Sequence, residues 1–384
     1  MLGSDLLRRP QSLFLRGFLF QIHLWVGVTF GLYMFLMGVT GSALVFREEL
    51  EHRANPALYP PLQADTVPAP IADVIRNIEA AFPNHRVRSL YSPTAGRPVY
   101  YGFIDQNSQS RTVLASPTGE VLGERPSTGF IKALQDLHVN LLYGSTGRLV
   151  NGFGAVALFV LCTTGAVIWW PGLDTWRRNL RVDFRKNWKR VIWELHSATG
   201  FWTVIIVATW ALTGAYFTFP QPFQRVVNKV SRLTSAATPP SSLSEGRQPI
   251  AVDELVRRSL QAIPGGQVAG VVLPAAERSP VVVQISRGRP DHLDNSGYVH
   301  LTYDQYSGSL LSTWDQKMNR SSGDALLSWI QPLHYGNFGG LPLKLLWVLL
   351  GLSPPLLFTT AAIMWWNRVL RKKWRQLSAP SPKA

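Results

Sequence analysis

The sequence predicts a membrane protein: a four-transmembrane-helix bundle built from two parallel repeats, carrying two small α+β domains on one side of the bilayer. Three observations lead there. Four stretches are long and apolar enough to cross a hydrocarbon core, which takes roughly 20 helical residues. Lysine and arginine gather in alternate segments between those stretches. The two halves of the chain also repeat one another around four histidines.

The spans are Gly17–Phe46, Leu149–Trp170, Leu195–Phe219 and Leu345–Trp366. The second and fourth hold no charged residue and end in Trp169-Trp170 and Trp365-Trp366, as a chain meeting the headgroup layer does. Composition agrees, with 46% hydrophobic and 16% charged residues and 14 tryptophans in 384 residues. The first span is longer than a signal peptide and has no small-residue cleavage site after it, so it reads as a retained helix. Cys162 is the one cysteine and lies inside the second span, which leaves no disulfide or zinc site to build and makes it an apolar filler.

Orientation follows from the basic flanks. Arg8, Arg9 and Arg16 precede span one; Arg177, Arg178, Arg181, Arg185, Lys186, Lys189 and Arg190 lie between spans two and three; Arg368, Arg371, Lys372, Lys373 and Arg375 follow span four. The positive-inside rule makes those three segments cytoplasmic. The net charge of +15 is then a topology signal. It does not indicate nucleic-acid binding, because no basic segment belongs to a reading module.

The expected order is a cytoplasmic N-terminus (1–16), span one (17–46), an outer domain (47–137), a histidine-bearing segment with span two (138–170), a basic cytoplasmic loop (171–194) and span three (195–219). A second outer domain (220–333), a second histidine-bearing segment with span four (334–366) and a basic cytoplasmic tail (367–384) complete it. Each outer domain opens on a proline-rich linker, Asn55–Pro70 or Thr238–Pro249. A helical pattern follows, Ile71–Ala81 or Ala251–Ala262, and then strand-like runs such as Val271–Ser286 and Tyr298–Thr313.

The repeat places the chemistry. His23 and Gly41 are 18 residues apart, as are His196 and Gly214. Thr163-Thr164-Gly165-Ala166-Val167-Ile168-Trp169-Trp170 aligns without a gap on Thr359-Thr360-Ala361-Ala362-Ile363-Met364-Trp365-Trp366, and the same offset puts His138 on His334. The outer domains match through Ser116–Leu122 and Asp304–Leu311, each a strand, a turn around one glycine and a strand. Each unit crosses the bilayer twice, so the copies are parallel and equivalent residues share a depth. His23 then faces His196 near the cytoplasmic side, and His138 faces His334 near the outer side.

Two histidines facing one another across a bundle can bind haem iron from both sides through neutral imidazole. The expected cofactors are two non-covalent b-type haems, one per pair, with His23, His196, His138 and His334 as iron ligands. Arg16 and Lys189 each lie seven residues before a histidine, and Arg148 and Lys344 ten after one. They are candidates for haem propionates or for snorkelling to the interface. Gly27 and Gly200, one turn beyond His23 and His196, would admit a flat macrocycle. His52, His85, His292 and His300 have no repeat partner and read as ordinary loop residues. Pro354-Pro355 marks a kink in span four.

His23-Leu24-Trp25-Val26-Gly27 with Gly38-Val39-Thr40-Gly41, and Glu194-Leu195-His196-Ser197-Ala198-Thr199-Gly200 with Leu212-Thr213-Gly214, resemble the recurring motifs of the PepSY-associated transmembrane family. The resemblance covers nearly the whole chain, and within the family it points to the FoxB-type di-haem ferric-siderophore reductases. It implies PepSY-like outer domains in the periplasm and a place in a bacterial inner membrane. It further implies a ferric siderophore of the hydroxamate, ferrioxamine-like type as substrate, with release of Fe2+.

The expected activity is thus an oxidoreductase that carries electrons across the bilayer to a ferric chelate. Two alternatives remain: a siderophore or haem permease, and a non-enzymatic binding or regulatory membrane protein. No Gly-rich phosphate loop and no flavin or nicotinamide fingerprint is present, so the electron donor is a quinol, a separate flavoprotein or a soluble reductant. No cluster in the outer domains stands out as a substrate pocket.

Overall fold

The computed structural model describes residues 14–61, 66–94, 96–106, 109–172, 175–234, 238–288 and 297–370. Arg8, Arg9, His292, Arg371, Lys372, Lys373 and Arg375 lie outside the described residues. In chain order the first half forms α1 (Phe14–Leu44), α2 (Arg47–Ala54), α3 (Ile71–Ala81), β1 (Arg86–Tyr91), β2 (Tyr100–Gln106), β3 (Gln109–Ala115), β4 (Val121–Glu124), α4 (Phe130–Asn140) and α5 (Gly144–Trp169). The second half forms α6 (Trp188–Thr218), α7 (Pro220–Val230), α8 (Val252–Ala262), β5 (Gln267–Val272), β6 (Val281–Ser286), β7 (Tyr298–Tyr303) and β8 (Leu310–Asp315). After β8 come α9 (Gln316–Asn319), α10 (Ser322–Ser328), α11 (Ile330–Tyr335), α12 (Gly340–Gly351) and α13 (Ser353–Trp365). These elements divide into a helical unit, comprising residues up to Arg47, Phe130–Phe223 and residues from Ile330 on, and a strand-bearing unit of Glu48–Gly129 and Gln224–Trp329.

The helical unit makes this a membrane protein: α1, α5, α6 and the stretch Gly340–Val369 are each long and apolar enough to cross a bilayer. Two boundaries differ from the sequence expectation. Helix α6 begins at Trp188, not Leu195, because the Asn187 side chain caps it by accepting the Lys189 N–H at 3.0 Å. An Arg190–Glu194 pair at 2.9 Å then spans the added turn, so Lys189 and Arg190, expected in a loop, are helical. The fourth span breaks between α12 and α13, where Pro354 and Pro355 enter the first turn of α13 without N–H groups to donate. The Leu350 carbonyl, which Pro354 cannot pair, accepts from Ser353 Oγ at 2.6 Å, and one turn earlier Val348 O accepts from Leu352 N–H and from Ser42 Oγ at 3.3 Å.

In the other unit the expectation of two small α+β domains is corrected. The strands form one eight-stranded antiparallel sheet in the order β4-β3-β2-β1-β5-β6-β7-β8. Four strands per half would leave β1 and β5 as open edges, with a row of unpaired backbone groups. Here they pair with each other, Ser89 opposite Val272, Leu90 opposite Val271 and Tyr91 opposite Gly270. The two halves match closely around this seam. Arg86 pairs with Asp105 in the first and Gln267 with Ser286 in the second, both partners displaced by 181 residues. Helices α3 and α8, 11 residues each, are displaced by the same 181. Val74, Ile78 and Leu255 from these helices are buried with Leu90, Ile104, Val271 and Ile285 of the sheet in one core.

The strand–turn–strand motifs seen in the sequence seat against those helices. Gly119 and Gly308 adopt φ of 87° and 65°, a region that favours glycine, and their carbonyls accept hydrogen bonds from Asn77 Nδ2 and Arg258 Nη1, each at 2.9 Å. Asn77→Ala should cost about 1 kcal/mol by leaving one such carbonyl unpaired. Pulse proteolysis of the full-length chain in urea measures this, and an unchanged midpoint would mean that the turn is held by packing alone.

Candidate metal centre

The helical unit brings the predicted histidines together in two pairs. His23, on α1, and His196, on α6, have ring centres 6.5 Å apart with planes at 85°. His138, on α4, and His334, on α11, have ring centres 6.4 Å apart with planes at 57°. Among the described residues no group of three or more His, Cys, Asp or Glu side chains gathers as a protein-only metal cage does. Each site therefore offers two imidazoles and no further acidic or thiolate ligand.

Each histidine is held by a threonine on a neighbouring helix. Nδ1 of His23 lies 3.1 Å from Thr164 Oγ1, and Nδ1 of His196 lies 3.0 Å from Thr360 Oγ1. Nδ1 of His138 and of His334 lie 2.8 Å from Thr40 and Thr213 Oγ1. Every one of these hydroxyls donates its own proton to the carbonyl four residues back, at 2.6 Å for Thr40 and Thr164 and 2.8 Å for Thr213 and Thr360. Threonine oxygen is then the acceptor, and Nδ1 carries the ring proton. His196 supplies an independent check, since Leu357 O, 3.1 Å from its Nδ1, can only accept. In all four rings Nε2 is left with its lone pair, the form of imidazole that ligates a metal.

Small residues make room for the rings. A Cβ on Gly41 would stand 3.0 Å from His138 Cε1, one on Gly165 3.1 Å from His23 Cε1, and one on Gly214 3.6 Å from His334 Cε1. A Cβ on Gly27 or Gly200, the positions expected to admit a macrocycle, would have Leu161 and Leu357 as nearest neighbours at 4.0 and 3.7 Å. The pairs occupy different levels: His23 and the Thr40 that holds His138 are 17 residues apart on α1, about 25 Å of helix rise. His196 and Thr213 repeat that interval on α6.

The matched basic residues end in distinct surroundings. Arg16 Nη2 donates to Ile168 O at 2.6 Å, while its Nη1 is buried with no hydrogen-bond partner. Trp169, the next residue after Ile168, likewise has a buried indole N–H with none. Arg148 Nη2 donates to Phe217 O at 2.7 Å, and the ammoniums of Lys189 and Lys344 stand over the rings of Trp188 and Phe46 at 5.9 and 5.8 Å. Of the basic loop, Lys186 and Arg190 converge on the buried Glu194 at 2.8 and 2.9 Å, two residues before His196. The remaining described histidines join no pair: His52 lies over Tyr59, His85 against Phe82, and His300 sits in β7 opposite Trp314, where burial lowers its pKa. Cys162 is buried and free.

Sequence reading found the histidines but missed what holds them. Thr40, Thr164, Thr213 and Thr360 all lie inside the repeat motifs, where they served only as markers of register. Their signal was present, because Thr40 and Thr213 recur 173 residues apart, as His23 and His196 do, and Thr164 and Thr360 recur 196 apart, as His138 and His334 do.

A four-helix membrane protein with a histidine pair at each of two levels is the class that fold and site define. The chain belongs to the PepSY-associated TM region family, which it matches over residues 20–368. It is 25% identical over 270 residues to the uncharacterized protein PA4219 of Pseudomonas aeruginosa, a stretch covering 61% of this chain and 63% of that protein, less than two thirds of its length.

Proposed function

We propose that this chain is a di-haem b-type cytochrome of the bacterial inner membrane that reduces a ferric siderophore in the periplasm. In this reading it is built from two parallel repeats, with both termini cytoplasmic and the sheet unit periplasmic. The observation that carries it is the spacing of the pairs. Two metal–imidazole bonds of about 2 Å, each extended about 1.1 Å to its ring centre, would set ring centres about 6.2 Å apart. The pairs stand at 6.5 and 6.4 Å with Nε2 free. Two imidazoles alone would leave most of a metal's coordination positions to another group, and the four nitrogens of a porphyrin would supply them.

His23 with His196 and His138 with His334 would hold the two haems. The buried, unpaired donors of Arg16 and Trp169 suit a propionate of the first. Bound there, each haem supplies a one-electron Fe(III)/Fe(II) couple, and two levels supply a path across the bilayer. The threonines keep Nδ1 protonated and the rings oriented, and the apolar helices keep water from the centres. The FoxB-type resemblance supplies the substrate class: hydroxamate oxygens are hard ligands that hold Fe3+ far better than Fe2+, so reduction releases the metal. The break in the fourth span is what a permease reading would call on, but the Leu350 carbonyl that Pro354 frees is already bonded to Ser353.

Haem quantification on the purified chain should give about two haems per chain, one for each bis-histidine site. Dithionite-reduced protein should reoxidise on adding ferrioxamine, with Fe2+ trapped by a ferrous chelator. A haem-free protein would end the redox reading. Reporter fusions at residues 110 and 270 should be active only in the periplasm, and cytoplasmic activity would invert the topology.

A further inference from the structure

The two halves of the helical unit differ at the end that carries the His23–His196 pair. In the first half Arg16 closes the space between α1 and α5 by donating to Ile168 O at 2.6 Å. The corresponding residue of the second half, Lys189, lays its ammonium over Trp188. Between α6 and α13 an apolar groove of about 510 Å³ stands open, lined by Trp188, Ala362, Ile363, Trp366 and Asn367. The matching residues of the first half include Leu15 and Pro171 where the groove has Trp188 and Asn367. The groove thus owes its aromatic wall and its amide to a departure from the repeat.

Three features indicate what fits. Trp188 and Trp366, 52% and 55% exposed, face outward from membrane-crossing helices, so entry is from the lipid phase. The backbone widens into a π-helical turn at Trp366–Leu370, a distortion that recurs at functional sites. Asn367 spends one of its two amide N–H groups on Ile363 O at 2.9 Å, which fixes the amide and leaves its oxygen as an acceptor, beside one remaining N–H, in an otherwise apolar groove. A planar ring with hydroxyl donors and an apolar tail satisfies all three. A lipid acyl chain uses neither the amide nor the aromatic faces, and a protein donor would need a polar docking surface.

We propose that this groove binds a membrane quinol and is where electrons enter the protein, an inference that rests on the di-haem reading above. Asn367 lies seven residues, about 10 Å of rise, beyond Thr360 on one helical stripe, and Thr360 holds His196. The quinol is oxidised to the quinone, losing two electrons and two protons. One electron reduces each of two ferric irons to the ferrous state, and the protons leave to water at that end of the bundle. Asn367 accepts a hydrogen bond from one quinol hydroxyl and Trp188 stacks on the ring; both position the donor.

The test uses the full-length, haem-loaded protein in nanodiscs with a decyl-chain benzoquinol. Wild-type haem should be reduced with saturable kinetics. Asn367→Leu should slow that reduction about tenfold, the worth of one hydrogen bond to a bound ligand, and Trp188→Ala should also slow it. Haem content and the rate of reduction by dithionite should not change in either variant, and Leu15→Ala at the matched position should have no effect. An azido-quinone photoprobe should label the peptides containing Trp188 and residues 362–367, with competition by the benzoquinol. Reduction unaffected by either variant, labelling elsewhere, or labelling displaced equally well by lipid would overturn the proposal. Protein with two haems that the quinol does not reduce sinks this inference alone, whereas protein without haem sinks the functional reading beneath it.

Discussion

His138→Ala and His334→Ala are each expected to lose the same haem, retain the other, and abolish reduction of the ferric siderophore. The two rings are 6.4 Å apart on α4 and α11, elements that reach the bundle at one level, and each is tied by a threonine to a different long helix, α1 or α6. Removing either leaves one imidazole where two would hold the haem, and about one haem of two should survive purification. His23→Ala and His196→Ala should lose the other haem. A mixed pair such as His23 with His138 is excluded by the helix itself, because Thr40, which holds His138, lies about 25 Å along α1 from His23. Absorption and electron paramagnetic resonance spectra of the four single variants assign the losses. If His23→Ala and His138→Ala removed the same species, the pairing and the two-level electron path would both fail.

How much of this was legible before any coordinates can be judged element by element. The helix Ile71–Ala81 was read to its last residue, because its apolar positions fall at helical spacing and proline precedes it. The pairing of His23 with His196 and His138 with His334 was also legible, since a repeat that crosses the bilayer twice has to return equivalent residues to equivalent depths. The start of α6 was not: Lys189 and Arg190 are excluded from any apolar window, and only the Asn187 cap and the Glu194 pairing show that they belong to the helix.

The sheet seam was illegible for a different reason. Leu90 and Val271 are 181 residues apart, and alternation along a strand says which face is buried, never which edge will meet which. The threonines fall between these cases. Thr163-Thr164 stands in tandem, and only the rotation of α5 decides that Thr164 meets His23 while Thr163 bonds back to Phe159 and Val160 on its own helix.

That division between visible residues and unseen roles yields the second large effect. Thr213→Val and Thr40→Val should weaken haem binding at the His138–His334 pair about 10- to 100-fold, the usual cost of losing the group that orients a ligating imidazole. Valine keeps the shape of threonine but cannot accept the Nδ1 proton. The buried ring must then leave that proton unpaired, rotate, or move it to Nε2 and surrender the lone pair that ligates. The His23–His196 pair should tolerate the same change better. His196 has Leu357 O at 3.1 Å as a second acceptor, and the Leu161 carbonyl lies close enough to His23 to act on its ring. Thr360→Val and Thr164→Val should therefore lose less affinity, and Thr→Ser at any of the four positions should lose little, because serine keeps the oxygen. Haem transfer to an apo-globin acceptor ranks the variants. If Thr360→Val released haem faster than Thr213→Val, or if all four valine variants matched the wild type, the threonines would be packing residues and the orientation of the histidines would have another source.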